Sequence, residues 1–267
     1  MKDKRSPPWV WPQAAYVHVP FCAHHCGYCD FAVVTGQDHL IDLYLEALFS
    51  ELATLNEPQP IKTLFLGGGT PTYLNCEQLE RLLRQLAAWL PCNPDHEFSV
   101  EANPDTLDGA KIELLADFGV NRISLGAQSF HLHLLRILER RHQPAEIPRV
   151  VQWLKSCFCQ VSLDLIFGVP GQTLDEWDMD LQRALALEPD HVSTYGLTFE
   201  KGTRLWKQRE RGELQSLSES AEGELYDHGL NVLEKAGYEH YEISNLARPG
   251  RRCRHNQVYW ANHAYFG

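Results

Sequence analysis

An α/β fold, built as a partial (β/α)6 barrel followed by the start of a smaller C-terminal domain, is what this sequence predicts. Three observations predict it: six short β-rich runs recur between residues 15 and 197, a segment with helical spacing follows each run, and the unusual polar or glycine-rich residues collect where the runs end.

The runs cover residues 15–19, 63–66, 98–101, 122–126, 161–167 and 191–197. Between them, apolar residues recur at helical spacing, as in Leu79, Leu82, Leu83, Leu86 and Leu90, or Leu174, Trp177, Leu181, Ala184 and Leu185. Alternation of this kind makes parallel βα units with core-facing helices. Periodicity suits a partial barrel and a flat doubly wound sheet equally well, so the placement of odd residues decides. In (β/α) barrels, ligand chemistry gathers at the carboxyl ends of the strands. Here those ends carry Cys22 to Cys29, Gly67 to Pro71, Glu101 with Asn103, Gln128, Asp164, and Tyr195 with Gly196.

A charged stretch at 201–219, rich in Arg, Gln, Glu and Ser, reads as a linker. A helix at 220–236 and a strand at 238–244 then begin something that they are too short to close, and Gly267 reads as a truncation point. The expected division is an N-terminal extension at 1–13, the barrel at 14–200, the linker at 201–219 and the beginning of a C-terminal domain at 220–267.

Composition narrows the function. A chain of 267 residues accommodates one large α/β domain, or one domain plus a fragment. Hydrophobic residues at 44% and charged residues at 22% are ordinary for a soluble domain, and no stretch approaches the ~20 apolar residues of a membrane span. The N-terminus has no apolar segment of the secretory kind, so the expected location is the cytoplasm. With 24 Lys and Arg against 35 Asp and Glu, the net charge is -11, which argues against a nucleic-acid partner. Three of the eight cysteines crowd into positions 22 to 29, a pattern of metal binding in a reducing compartment rather than of a disulfide framework.

Cys22, Cys26 and Cys29 supply three thiolates within one loop, the ligand type that iron-sulfur clusters take. A 4Fe-4S cube has four irons, so three cysteines leave one iron for a ligand from outside the protein. The alternatives are a zinc site completed by His18, His24 or His25, or three unbound thiols. Zinc modules usually pair two Cys-x2-Cys knuckles, and no second pair exists here. The Gly67-Gly68-Gly69-Thr70-Pro71 turn lets the backbone approach a ligand and offer its N–H groups, although alone it reads equally well as a tight turn. It lacks the endings that mark nucleotide-phosphate loops. Glu101, Gln128, Arg140 and Asp164 are polar groups at or near strand ends, and singly each reads as a solvated or ion-paired residue.

Together these segments resemble a known family. Tyr16-x-His18-x-Pro20-Phe21-Cys22-x3-Cys26-x-Tyr28-Cys29 is similar to the signature of the radical S-adenosylmethionine superfamily. The resemblance implies a 4Fe-4S cluster on the three cysteines, with S-adenosylmethionine on the open iron and an electron donor to reduce the cluster. Cleavage of the sulfonium would then yield a 5'-deoxyadenosyl radical. The stretches 99–104, 122–130 and 164–171 resemble one subfamily, which contains oxygen-independent coproporphyrinogen III dehydrogenases and heme chaperones. That resemblance places Tyr16, Tyr28, Gly68, Gly69, Thr70, Glu101, Gln128, Arg140 and Asp164 around S-adenosylmethionine.

Two departures point away from the dehydrogenases. Asp30-Phe31 stands where those enzymes have a further cysteine two residues after the third, and only about fifteen residues precede Tyr16. His255-Asn256-Gln257-Val258-Tyr259-Trp260 in turn resembles the His-Asn-x-x-Tyr-Trp motif of the heme chaperones. An imidazole can ligate heme iron and aromatic neighbours can pack on the macrocycle. Without the family, the same residues read as a buried structural histidine with aromatic neighbours. Cys253 is a second possible axial ligand. The expected function is therefore that of a heme-chaperone-family protein that binds heme, a 4Fe-4S cluster and S-adenosylmethionine, and passes heme to an acceptor hemoprotein. The alternative is radical decarboxylation of coproporphyrinogen III. A radical tRNA-modifying role is disfavoured by the acidic balance.

Overall fold

Apolar side chains at every second strand position sort the two faces of one sheet. The computed structural model describes residues 10–158 and 160–267; residues 1–9 of the expected N-terminal extension lie outside the described residues. Strands β1 (Ala14–Val19), β2 (Ile61–Gly68), β3 (Cys92–Ala102), β4 (Arg122–Gln128), β5 (Gln160–Phe167) and β6 (His191–Gly196) pair in parallel in that order. All six expected strands are present, and only β3 departs much in length, beginning at Cys92 instead of Phe98.

Helices α1 (Ile41–Ala53), α2 (Cys76–Trp89), α3 (Gly109–Asp117), α4 (Leu132–Ile137), α5 (Glu146–Cys157) and α6 (Leu174–Ala186) connect these strands. They cover the outer face, where Leu64, Leu66, Val100, Ile123, Leu125 and Leu163 meet the buried stripe Leu79, Leu82, Leu83 and Leu86 of α2. That stripe is worth roughly 1.5–3 kcal/mol per side chain. α2 starts sharply because Asn75 Oδ1 accepts from Gln78 N at 2.9 Å while Gln78 Oε1 accepts from Asn75 N. Thr173 and Glu176 make the same reciprocal cap at α6.

The charged stretch expected as a linker contains α7 (Arg204–Glu210). Thr203 caps it through the Trp206 N–H, and its buried Leu205 joins Leu134, Leu138, Ile166, Val169 and Leu197 in a second apolar cluster. One buried leucine in a charged run was enough to anchor a helix. α8 (Glu219–Lys235) runs where a helix is expected and packs on α6, with Trp177 Nε1 donating to Leu225 O at 2.9 Å.

The single strand expected at 238–244 is instead two, β7 (Glu239–His240) and β8 (Asn245–Ala247), and β8 pairs antiparallel with both β7 and β6. The chain bends between them because the Tyr241 hydroxyl turns in to His191 Nε2 at 2.8 Å, while Ser244 O accepts from Thr194 N at 2.7 Å. The sheet of the barrel thus continues into the C-terminal segment. On its other edge, β1 bonds to Phe266 through Tyr16 N and Ala14 O.

The inner face of the strands is polar. Glu97, Arg122, Ser124, Ser162 and His191 are all buried there, and polar groups so placed must find partners. His191 Nδ1 and Ser162 Oγ lie 2.8 Å apart. Glu97 accepts the backbone N–H groups of Arg254 (2.8 Å) and His255 (2.9 Å), which fixes the first turn of α9 (Arg254–Trp260) with a carboxylate at its positive end. Among the described residues, no helix is long and apolar enough to cross a membrane.

Candidate cofactor site

The loop between β1 and α1 carries the three cysteines over the carboxyl ends of the strands. Phe21–Cys22 pairs with Val34–Thr35, and Cys29 N bonds back to Cys26 O at 3.2 Å, so the loop is folded rather than open. α7 braces it, with Leu205 N donating to Gly27 O at 2.8 Å and Arg204 pairing with Glu139 at 2.7 Å. A side chain at Gly27 would press on both Glu139 and Leu205 at 3.2 Å.

Below the loop is a cavity of about 380 Å³. Cys22, Cys26, Cys29, Tyr28, Gly68, Gly69, Thr70, Glu101, Gln128, Arg140 and Asp164 all line it. The glycine turn has to be glycine: Gly68 sits at φ +108° with His18 2.6 Å from where its Cβ would be, and a Cβ on Gly69 would lie 2.7 Å from the Pro20 and Phe21 carbonyls. The sequence left open whether this turn offers its N–H groups to a ligand or is simply a tight turn. Gly68 N donates to Glu101 Oε2 (3.0 Å), Gly69 N to Val19 O (2.8 Å) and Thr70 N to Phe21 O (2.9 Å). The donors are spent locking the turn to its neighbours, so what faces the cavity is close backbone rather than free amides.

Each thiol has a polar neighbour or a cost. Cys22 Sγ is 3.4 Å from Thr70 Oγ1, and burial pushes its thiol up to about 11 although Thr70 and Arg140 pull the other way. Burial raises Cys29 as well. Arg140 lies 3.6 Å from Cys26 Sγ and also bonds Asn103 Oδ1 and Gly126 O, the latter at 3.0 Å. Burial works against its charge, but Tyr28 and Cys26 beside it hold the guanidinium above its ordinary range. Glu101 is pushed up to about 8 by burial and by the charge of Asp164, against the hydrogen bond from Gly68. Asp164 is raised by burial, with Ser193, Arg122 and Ser124 opposing; both of its oxygens lie 3.1 Å from Ser124 Oγ. Both carboxyls line the cavity, where a positive charge brought beside them would favour their ionised forms.

Of the three histidines weighed as zinc ligands, His24 and His25 line the cavity beside the thiols, and each of the three has its Nε2 engaged. His18 Nε2 bonds Ala32 O (2.8 Å), His24 Nε2 meets Glu139 (3.3 Å) and His25 Nε2 bonds Cys29 O (2.9 Å). Tyr16 and His255 do not line the cavity. Tyr16 stacks on Phe65 behind it, with its hydroxyl 3.3 Å from His18 Nδ1. His255 is buried on α9, its Nδ1 3.0 Å from Thr63 Oγ1 and its Nε2 2.8 Å from the Tyr259 hydroxyl. Cys253 is also buried, beside Glu97.

Asn103 was visible only as a polar residue at a strand end, yet its amide joins Thr70 Oγ1 (2.9 Å) to Arg140. Ser124 and Tyr195 also face the cavity. Tyr195 was among the residues noted at strand ends, whereas the signal for Ser124 was parity alone: both occupy the same pleat face as Asp164 and Ile166.

Comparison with known proteins settles the family. The radical SAM superfamily profile matches residues 16–184. The chain is 41% identical to the heme chaperone HemW of Lactococcus lactis over 257 residues, which cover 96% of this chain and 68% of that protein. It is 40% identical to the Bacillus subtilis heme chaperone HemW, over 96% of this chain and 69% of the relative. The chain belongs to the heme chaperone HemW family of radical SAM proteins. It spans about two thirds of the length of these HemW relatives. Among solved structures, coproporphyrinogen III oxidase (HemN) from Escherichia coli superposes with a TM-score of 0.80 at 30% identity, covering 89% of this chain and 56% of that one. The HemW family and HemN thus share the barrel described above, and Asp30-Phe31 distinguishes this chain's cysteine loop from one with a fourth cysteine.

Proposed function

We propose that this chain is the cofactor-binding barrel of a HemW-like heme chaperone, which holds a 4Fe-4S cluster and S-adenosylmethionine in the cavity and delivers heme to acceptor hemoproteins. One observation carries the reading: three loop thiols, a glycine turn without room for side chains, and the Glu101, Asp164 and Arg140 groups all face one cavity at the carboxyl ends of parallel strands. The donor set fits the cluster. Three soft sulfurs in one loop, with no second Cys-x2-Cys knuckle in the sequence, suit iron and sulfide better than a lone zinc ion.

When bound, the cluster and S-adenosylmethionine would supply one-electron chemistry. The protein's part is to bind, orient and shield. Cys22, Cys26 and Cys29 give up their protons on loading, so uptake releases protons. Arg140 sets a fixed positive charge beside Cys26. Glu101 and Asp164 would meet the cationic groups of S-adenosylmethionine in the cavity they line, and a cation there would make it easier to ionise both carboxyls. Gly68 and Gly69 keep the backbone close to that ligand, with Thr70, Gln128 and Tyr28 around it and Tyr16 supporting from behind.

Heme is assigned to the α9 region, where Tyr259, Trp260 and Tyr265 are exposed aromatics. His255 serves as an iron ligand only once Tyr259 swings off its Nε2. The test is anaerobic reconstitution, iron and sulfide analysis, heme titration and a coproporphyrinogen III turnover assay on one sample. About four irons and four sulfides per chain, saturable heme binding and no protoporphyrinogen IX are expected. Absence of heme binding, or efficient conversion of coproporphyrinogen III, overturns the chaperone reading.

A further inference from the structure

A second set of ligand atoms converges away from the cavity, between the start of α4 and the first turn of α6. His131 and His133 flank Leu132, and Glu176 is the third residue of α6. One ligand atom from each of the three lies within 4.8 Å of the other two. His133 Nε2 is 3.1 Å from Glu176 Oε1. That is close to the ~3.3 Å between two donors that each sit ~2.0 Å from a tetrahedral zinc ion.

Two further details show that the atoms are aimed. Glu176 Oε2 is held by Thr173 N at 2.9 Å and by Thr173 Oγ1 at 3.1 Å, which leaves Oε1 directed at His133. A ligating carboxylate is commonly oriented through its other oxygen in this way. His131 Nε2 is buried and makes no hydrogen bond. It lies 3.8 Å from Asp180 Oδ1, beyond hydrogen-bond reach, while the two oxygens of that carboxylate accept from Phe130 N (2.6 Å) and Ser129 Oγ (2.7 Å). A buried imidazole nitrogen without a hydrogen bond is costly in a native fold, and a metal ion would satisfy it.

We propose that His131, His133 and Glu176 bind a divalent transition-metal ion of the zinc class at a site separate from the cysteine loop. Two imidazoles and one carboxylate are donors of borderline softness and leave a fourth position for water. His133, with its side chain 54% exposed, provides the way in from solvent. The trio reaches bonding distances if the His131 ring rotates toward the other two donors. Such an ion would tie the chain entering α4 to α6, and α4 leads within a few residues to Arg140.

The experiment is zinc titration against a chromophoric chelator, with thermal unfolding in parallel, on the whole chain and on a Cys22→Ser/Cys26→Ser/Cys29→Ser variant that removes the competing thiols. One zinc equivalent should remain in the triple variant and raise its Tm. His133→Ala and Glu176→Gln, each in that background, should lose both the equivalent and the Tm shift. His133 is exposed, and a glutamine can keep the Thr173 cap, so neither change endangers folding. No zinc equivalent in the triple variant, or an equivalent that persists in His133→Ala, overturns the proposal. Because the three loop thiols are absent from the triple variant, either result leaves the cluster reading untouched.

Discussion

Arg140 Nη1 lies 3.6 Å from Cys26 Sγ, and the other amino group of the same guanidinium bonds Gly126 O at 3.0 Å. One planar fork therefore links the cysteine loop to the end of β4, with Asn103 as a third acceptor. Lysine carries the same charge but only a point donor, so it cannot hold all three groups at once. Arg140→Lys should fold normally and reconstitute with several-fold less iron and sulfide than the wild type. Equal cluster content in the two would show that the fork does not support the thiols.

Cys22, Cys26 and Cys29 are all partly exposed and none belongs to either apolar cluster. Replacing all three with serine removes soft donors without opening a core cavity, so stability should change by no more than about 1 kcal/mol. The expected variant has the wild-type circular dichroism spectrum and no iron-sulfur absorption after reconstitution. Retained cluster absorption would remove the three cysteines from the ligand set.

Glu101 gives the empty barrel a pH dependence of unusual sign. Its folded-state pKa of about 8 stands above the ordinary 4.5, with burial the larger cause and Asp164 the next. A group raised in this way contributes stability that is complete below about pH 4.5 and lost as pH rises through about 8. Since the carboxyl borders a cavity that admits water, the loss should be roughly 1–2 kcal/mol. Urea unfolding of the metal-free chain at pH 6, 7.5 and 9 should show that decline, and Glu101→Gln should flatten it. An equal slope in the variant would assign the decline to other groups.

The barrel was legible because its code is local. Leu64 and Leu66, or Ile123 and Leu125, alternate with inward residues within one strand, and Leu79, Leu82, Leu83 and Leu86 recur within one helix. The cysteine loop was legible for the same reason, since its three cysteines sit within eight residues. What stayed hidden was long-range. Asn103 gains its role from Thr70 and Arg140, each more than thirty residues away, and the N–H groups of the glycine turn are consumed by Glu101 and by the chain after β1. The 238–244 run has strand-like composition, yet Tyr241 leaves the ladder to reach His191, fifty residues earlier. α7 escaped notice because composition weighs all its charges while the fold uses one leucine.

His255 meets Thr63 across 192 residues of sequence, and the contact decides what its ring can do in this conformation. Burial, with the Arg122 charge as the lesser cause, pulls its pKa down from 6.5 to about 4. A neutral ring is therefore built into the fold. The unfolded chain takes up the proton first, so this contribution is complete above about pH 6.5 and disappears as pH falls toward 4, a loss of roughly 3 kcal/mol. His142 and His191 are depressed in the same direction, so acid unfolding of the wild type should be steep, and only a comparison isolates His255. His255→Ala should cost roughly 2–4 kcal/mol at pH 7.5 from the cavity and the two lost hydrogen bonds, and markedly less at pH 5. Heme titration of the same samples separates ligation from architecture. If His255 ligates iron, its loss changes the heme absorption bands, and Tyr259→Phe, which frees Nε2, strengthens heme binding. Unchanged bands in His255→Ala together with the pH-dependent loss of stability would make His255 the pin that seats α9 on β2, and would move the heme ligand elsewhere.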